Sequence, residues 1–402
     1  MTTHKHLQSA LAFAIFSLGV LVLAHAGFKN RERYKDVCMV EFYQWSAELR
    51  GGGDPWNLDP SYRPPAGVIH RGDCNYPPVF LRAFEPLTLM SPVAAYWVWQ
   101  AILILSLLGA TIVLLRELEP GAEFRVYALA LGAVLILPEV HGSLYESEPT
   151  LMLLALLAAA WIWDRRDRSW SAGLMLALAT LLKIYPGLAG GYFLARRRWA
   201  TLGWAIAFAI AGLLISGVSN QERFISAGVF HSVWLTDDNW LRNDRSIATL
   251  SNLRALLDWI NGAALPSSAL PLWYGLTAAF DILLICPALY LTARSRDDRE
   301  LEAPCFGLWL AAAIMISPIA WGHYLPLLIP LFLSVAVLMT RRPRFDAVGG
   351  FVMAVGLIGT IAPYFSSPIR RWHTLFIAML MIYAGACLLI MNWSRERDTV
   401  AR

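Results

Sequence analysis

Runs of roughly 20 apolar residues, the length at which a helix crosses about 30 Å of hydrocarbon, recur along this chain of 402 residues from one end to the other. In water they would expose apolar patches far larger than soluble domains carry. With 57% hydrophobic and only 15% charged residues, the chain lacks the polar surface to cover them. The sequence therefore predicts an all-α polytopic membrane protein with about 10 to 12 transmembrane helices. Residues 1–402 are expected to form a single integral membrane domain, since no repeat and no linker divides them. Among the expected spans are Arg125 to Val140, Trp199 to Gly217, Leu270 to Ala293, Ala303 to Trp321 and His323 to Thr340. The first run, Leu7 to Phe28, is long for a cleaved signal peptide, and Phe28-Lys29-Asn30 lacks a small-x-small cleavage site. It is read as a retained helix.

Basic residues fix the expected orientation, because short loops rich in Lys and Arg stay in the cytoplasm. Arg116, Arg165-Arg166, Arg196-Arg197-Arg198, Arg294 with Arg296, and Arg341-Arg342 fall at every second connection, and Arg395 and Arg397 lie in the tail. Both termini are then cytoplasmic in a plasma (inner) membrane. Two long connections, 29–90 and 218–269, become extracytoplasmic loops. The net charge is only +4, and the basic residues are spent on topology, so nucleic acid is not an expected partner.

Cys286, Cys305 and Cys387 lie in apolar runs, where a thiol behaves as a small hydrophobe. Cys38 and Cys74 both fall in the first outer loop, where they either close a disulfide or remain two free thiols. That loop opens with Val37, Val40, Phe42, Tyr43, Ala47 and Leu49 at near-helical spacing before Gly51-Gly52-Gly53. An amphipathic helix followed by turns at Asp54-Pro55-Trp56 is expected. The second loop carries Trp234, Trp240 and Trp259 and a helical stretch around Ser251 to Ile260, which suits the membrane interface.

The outer face gathers groups able to work on a phosphate-linked substrate. Asp36 and Glu41 follow the first span, where a carboxylate deprotonates an attacking hydroxyl or is simply a solvated loop acid. His323, after Ser317-Pro318-Ile319-Ala320-Trp321-Gly322, donates to a phosphate or hydroxyl, or else hydrogen-bonds to backbone. Lys183 in Leu182-Lys183-Ile184-Tyr185-Pro186 pairs with a phosphate or snorkels to headgroups. Glu148 opens a helix next to Pro149, where capping alone accounts for a carboxylate. Asp281, inside an apolar run, is expected to hydrogen-bond a neighbouring helix. Zinc-type His or Cys pairs, Walker loops and dinucleotide fingerprints are missing from the sequence. No cofactor and no metal are expected.

The motifs taken in order are Phe42-Tyr43-Gln44-Trp45-Ser46-Ala47-Glu48-Leu49, Gly53-Asp54-Pro55-Trp56, Asn75-Tyr76-Pro77-Pro78, Leu182-Lys183-Ile184-Tyr185-Pro186, Asn243-Asp244-Arg245-Ser246 and Ser317 to His323. Together they resemble glycosyltransferase family 87 of the GT-C superfamily, the polyprenyl-phosphate-mannose-dependent mannosyltransferases. The resemblance implies a GT-C-type fold with an extracytoplasmic cavity. It implies transfer of a hexose, mannose first, from a polyprenyl-phosphate donor to a glycan or glycolipid acceptor, with inversion and a carboxylate base. It gives catalytic roles to Asp36, Glu41 and His323. Substrate-binding roles fall to Tyr43, Asn75, Tyr76, Glu148, Lys183, Tyr185, Asn243, Arg245 and Ser246. Counting back from Phe42-Tyr43, Cys38 or Met39 stands where the family carries its Asp, flanked by Asp36 and Glu41. Asp36 is therefore the first choice of base and Glu41 the second. The family's Gly-Gln pair is replaced by Ser147-Glu148. A polytopic lipid or glycan transporter or flippase is the competing class, and an inactive scaffold relative the third.

Overall fold

The structure, a computed structural model, describes residues 2–30, 38–57, 59, 61–63, 65, 74–227, 246–261, 269–318, 320–341, 347–361 and 374–400. These residues form helices and turns, and the only β pairing among them is an isolated bridge, Ser246 to Trp321. Five helices are long and apolar enough to cross a membrane, or up to seven if two bent pairs each count as one span. Three apolar helices of 10–17 residues lie beside them. The chain is thus a polytopic, all-helical membrane protein. It falls into two compact units.

Unit 1 comprises Met1–Ile184 and Gly203–Val233. Helix α1 (Thr2–Asn30) lies along α5 (Phe124–Ile136). A Cβ on Gly132 would stand 2.7 Å from backbone atoms of Ile15 and Phe16, so only glycine lets these helices approach. Helix α2 (Cys38–Arg50) is the amphipathic helix expected before the triple glycine. It packs against α3 (Pro78–Phe84) and a 3-10 helix, Glu85–Leu89. Phe42, Phe80, Phe84 and Trp99 meet there edge-on or tilted, with centroids 5.0 to 6.3 Å apart. Behind them α4 (Pro92–Leu118) packs on α7 (Thr150–Arg165), and α7 on α8 (Ser169–Leu182).

The span expected from Arg125 to Val140 is not straight. It breaks at Leu137, because Pro138 cannot donate into the helix, and α6 (Pro138–Glu146) leaves at 60°. Near its end, the run from Trp199 turns as well. Helix α10 (Trp199–Ile215) gives way to α11 (Val218–Ser226) through a 93° bend at Gly217, whose φ of 93° suits glycine. From α11, Phe224 packs 6.1 Å from Trp56 and Arg223 donates to the Gly53 carbonyl at 3.5 Å.

Unit 2 comprises Tyr185–Leu202 and Trp234–Arg402. It holds a 3-10 helix, Tyr185–Ala189, then α9 (Gly190–Ala195), α12 (Thr249–Asn261), α13 (Leu270–Arg294) and α14 (Glu302–Ile316). A second 3-10 helix, Gly322–Leu328, leads into α15 (Ile329–Arg341), and α16 (Ala347–Ile361) pairs with α17 (Thr374–Val400). Helix α14 is the core, with every residue from Glu302 to Met315 buried. The span expected from Ala303 to Trp321 ends early at Ile316, where the Pro318 ring excludes further helix. Thr249 Oγ1 donates to Asp281 Oδ1 at 2.6 Å, giving that intramembrane carboxylate its expected interhelical partner. Helix α12 packs Leu250 on Trp273 and leaves Leu256, Trp259 and Ile260 exposed.

Candidate functional site

Glu148 is held by a short structural chain that begins at the end of α6. Ser147 takes the left-handed conformation, φ 58° and ψ 28°, and ends the helix. Its amide donates to the Leu144 carbonyl at 3.2 Å, and that of Glu148 donates to Ser143 at 3.1 Å. These two bonds form a Schellman cap, whose left-handed position normally favours glycine. From α4, Gln100 Nε2 donates to Ser147 Oγ at 2.8 Å and to the Leu144 carbonyl at 2.9 Å. Trp99 Nε1 donates to the Ser147 carbonyl at 2.8 Å. The turn is clamped, and α7 begins just after it at Thr150.

On this turn Glu148 is 7% exposed. Two donors converge on its Oε2: the Tyr76 hydroxyl at 2.7 Å and Lys183 Nζ at 2.9 Å. Lys183 Nζ is also 3.2 Å from the Tyr76 oxygen and 5.1 Å from the centroid of its ring. Lys183 comes from the C-terminal end of α8, where a cation suits the helix dipole. The Tyr76 ring is packed by Phe42 at 4.7 Å and Phe80 at 4.6 Å, and Trp56 Nε1 donates to its carbonyl at 3.1 Å. The phenol is therefore fixed before any ligand arrives.

Helix α2 borders the same place. Burial, and then the negative charges of Glu148, Glu41 and Glu146, push the Cys38 thiol well above its ordinary pKa, against a smaller opposite pull from Lys183. Burial does the same to Cys74. Both cysteines are free thiols, which decides between the two alternatives of the sequence. Glu41 is half-buried on α2, one turn beyond Cys38. Tyr43 donates to the Met90 carbonyl at 2.9 Å, so its hydroxyl ties α2 to the adjacent 3-10 helix. Asn75, half-buried, precedes Tyr76 in the chain. Asp36, Asn243 and Arg245 lie outside the described residues.

In unit 2, Ser246 pairs with Trp321, and the Ile247 amide donates to the Ala320 carbonyl at 2.7 Å. Ser246 Oγ accepts from the Ala248 amide at 3.2 Å, and Asn252 Nδ2 donates to the Ser246 carbonyl at 2.9 Å. Ser246 thus anchors the segment that enters α12. Beyond the bridge, His323 is 7% exposed and sits edge-on to Trp321 at 5.5 Å and to Tyr324 at 4.7 Å. Tyr185 stacks on Tyr324 at 5.4 Å. Aromatic rings therefore fix the His323 imidazole from two sides.

Tyr76, Glu148 and Lys183 belong to separate stretches of the sequence, and the structure joins them. Trp99 and Gln100 lie outside the sequence motifs, although a lone Gln inside an apolar run is a usable signal. Among the described residues no group of three or more His, Cys, Asp or Glu could hold a metal ion.

Three relatives share the chain's pattern. A polyprenol-phosphate-mannose-dependent alpha-(1-2)-phosphatidylinositol mannoside mannosyltransferase of Mycolicibacterium smegmatis is 26% identical over 289 residues, 66% of this chain and 62% of its own length. A polyprenol-phosphate-mannose-dependent alpha-(1-2)-phosphatidylinositol pentamannoside mannosyltransferase of the same organism is 28% identical over 265 residues, 64% and 60% of the respective lengths. The protein of that description from Mycobacterium tuberculosis is 25% identical over 345 residues, covering 81% of this chain and 74% of its own. The chain thus spans about three fifths of the first two relatives. The signature of glycosyltransferase family 87 matches residues 75–318, a segment that contains Asn75, Tyr76, Glu148, Lys183, Tyr185 and Ser246 and leaves out Glu41, Tyr43 and His323. That match covers more than half of the sequence, and the chain belongs to glycosyltransferase family 87.

Proposed function

We propose that this protein is a GT-C-type membrane glycosyltransferase with 10 to 12 transmembrane helices and both termini cytoplasmic. It moves a hexose, mannose first, from a polyprenyl-phosphate carrier to a glycolipid or glycan hydroxyl on the extracytoplasmic face of the plasma membrane. The observation that carries the reading is the convergence of a lysine and a tyrosine on one buried anion, Glu148, inside the family-matched segment. A cation and a phenol set in a dry, prearranged site suit the phosphate that leaves when the sugar is transferred.

In the proposed reaction the acceptor oxygen attacks the anomeric carbon, and the bond from that carbon to the phosphate oxygen breaks. The phosphate departs with the electron pair, and a carboxylate takes the hydroxyl proton. One displacement inverts the centre. Asp36 is the first choice for the carboxylate and Glu41 the second, with Lys183 and Tyr76 facing the phosphate. His323 has a catalytic role toward substrate, and Tyr43, Asn75, Tyr185, Asn243, Arg245 and Ser246 have substrate-binding roles.

The test is transfer by purified protein in nanodiscs, using radiolabelled polyprenyl-phosphate-mannose with phosphatidylinositol mannosides and other lipid and glycan acceptors. Wild-type transfer that vanishes with Asp36→Asn supports the reading and its base. Loss only with Glu41→Gln moves the base to Glu41. No donor consumption by the wild type would sink the transferase reading and favour a transporter or an inactive scaffold.

A further inference from the structure

The Tyr76–Glu148–Lys183 cluster already holds an anion, and that anion belongs to the protein. Glu148 Oε2 takes both the Lys183 ammonium and the Tyr76 hydroxyl. A phosphate oxygen seeking those same two donors must move the carboxylate aside or share the cation with it. Sharing puts two anions on one ammonium, and like charges at such separations oppose each other strongly in a buried place. Glu41 and Glu146 add further negative potential at the neighbouring Cys38 thiol.

We infer that Glu148 is an internal competitor for phosphate at Lys183, and that its charge speeds release of the spent carrier. The inference rests on the reading of Lys183 as the phosphate-facing cation. A sugar-phosphate carrier is a phosphodiester with one negative charge. Once the sugar has left with its anomeric carbon, the carrier is a phosphate monoester that carries up to two. Repulsion from Glu148 grows with that charge. The same carboxylate that tolerates the donor therefore disfavours the product, and turnover gains from it.

Glu148→Gln separates charge from shape, because the amide oxygen still accepts from Tyr76 and Lys183. The measurement is equilibrium binding of radiolabelled farnesyl phosphate to the full chain in nanodiscs of neutral lipid. Inorganic phosphate and a farnesyl phosphodiester serve as competitors, and anionic phospholipid is added in a separate arm. Thermal melting confirms folding of every variant. The expected result is that E148Q binds farnesyl phosphate at least about tenfold more tightly than wild type, the change that 1.4 kcal/mol of lost competition produces. The gain should be smaller for the phosphodiester, and the double variant Glu148→Gln/Lys183→Gln, which removes both charges of the pair, should lose it.

Binding by E148Q that is equal to or weaker than wild type, with binding lost in the double variant, would overturn the competitor role and leave Lys183 as the phosphate site. Equal binding by wild type, E148Q and the double variant would overturn both. Competition by phosphatidylglycerol as strong as that by farnesyl phosphate would also overturn it, by making the site a general headgroup site with no preference for the carrier.

Discussion

Lys183 and Glu148, separated by 35 residues in sequence, form a 2.9 Å ion pair whose side chains are 16% and 9% exposed. At that burial, breaking the pair from one side costs far more than its net worth, because the remaining charge has no water to return to. Lys183→Met should lower stability by about 3–5 kcal/mol, and adding Glu148→Gln should recover most of the loss. Thermal melting followed by fluorescence size-exclusion chromatography checks both. A single variant as stable as wild type would mean that the pair is not held as described.

Ser147 separates two local effects that act in opposite directions. Its left-handed backbone costs roughly 1 kcal/mol that glycine would not incur. Its hydroxyl accepts from Gln100 at 2.8 Å, a bond worth about 1 kcal/mol. Ser147→Gly gives up the bond and the strain together and should be close to neutral. Ser147→Ala gives up only the bond, so it should be the less stable of the two by roughly 1 kcal/mol. Equal melting temperatures for the two variants would argue against the left-handed turn.

Local pattern carried much of the fold. Helix α2 and its stop before Gly51, and α12 over the expected Ser251 to Ile260, follow from apolar spacing and breaker residues acting within a few turns. The bends at Pro138 and Gly217 were harder to read because hydropathy averaged over a window does not register a change of direction. The site was legible as residue types but not as an arrangement. Tyr76 reaches Glu148 across 72 residues and Lys183 across 107, and no periodicity encodes such pairings.

The two loop cysteines make a chemical prediction. Burial, with neighbouring carboxylates, raises the Cys38 thiol, and burial raises Cys74. The native state therefore binds these protons more tightly than the unfolded chain does. The associated stability is complete below the ordinary thiol value of about 8.5 and is lost as pH climbs past it. Maleimide should label native Cys38 and Cys74 slowly at pH 7 to 8, on the scale set by those conditions. The melting temperature should fall above pH of about 8.5, less so in Cys38→Ser/Cys74→Ser. In denaturant without reductant all five cysteines should react. Three adducts there would reveal a disulfide.

Arg196 shows where charge counting and structure diverge. Arg196-Arg197-Arg198 counts as one cytoplasmic signal in the sequence, since the positive-inside rule counts charges and takes no account of their partners. In unit 2, Arg197 is exposed, whereas Arg196 and Glu302 form a 2.6 Å pair with side chains 4% and 6% exposed. Arg196 also donates to the Ser295 carbonyl at 3.3 Å and to that of Arg296, so one guanidinium closes the end of α13 over the start of α14. Arg196→Met should cost about 3–5 kcal/mol, because Glu302 is left charged and dry. Combining it with Glu302→Leu removes that charge but leaves the two carbonyls without their donor, so a deficit of about 1–3 kcal/mol should persist. Arg197→Gln should stay within about 0.5 kcal/mol of wild type. Equal losses for Arg196→Met and Arg197→Gln in a thermal melt would show that the two arginines act alike, as topology signals, and that the buried pair contributes nothing of its own.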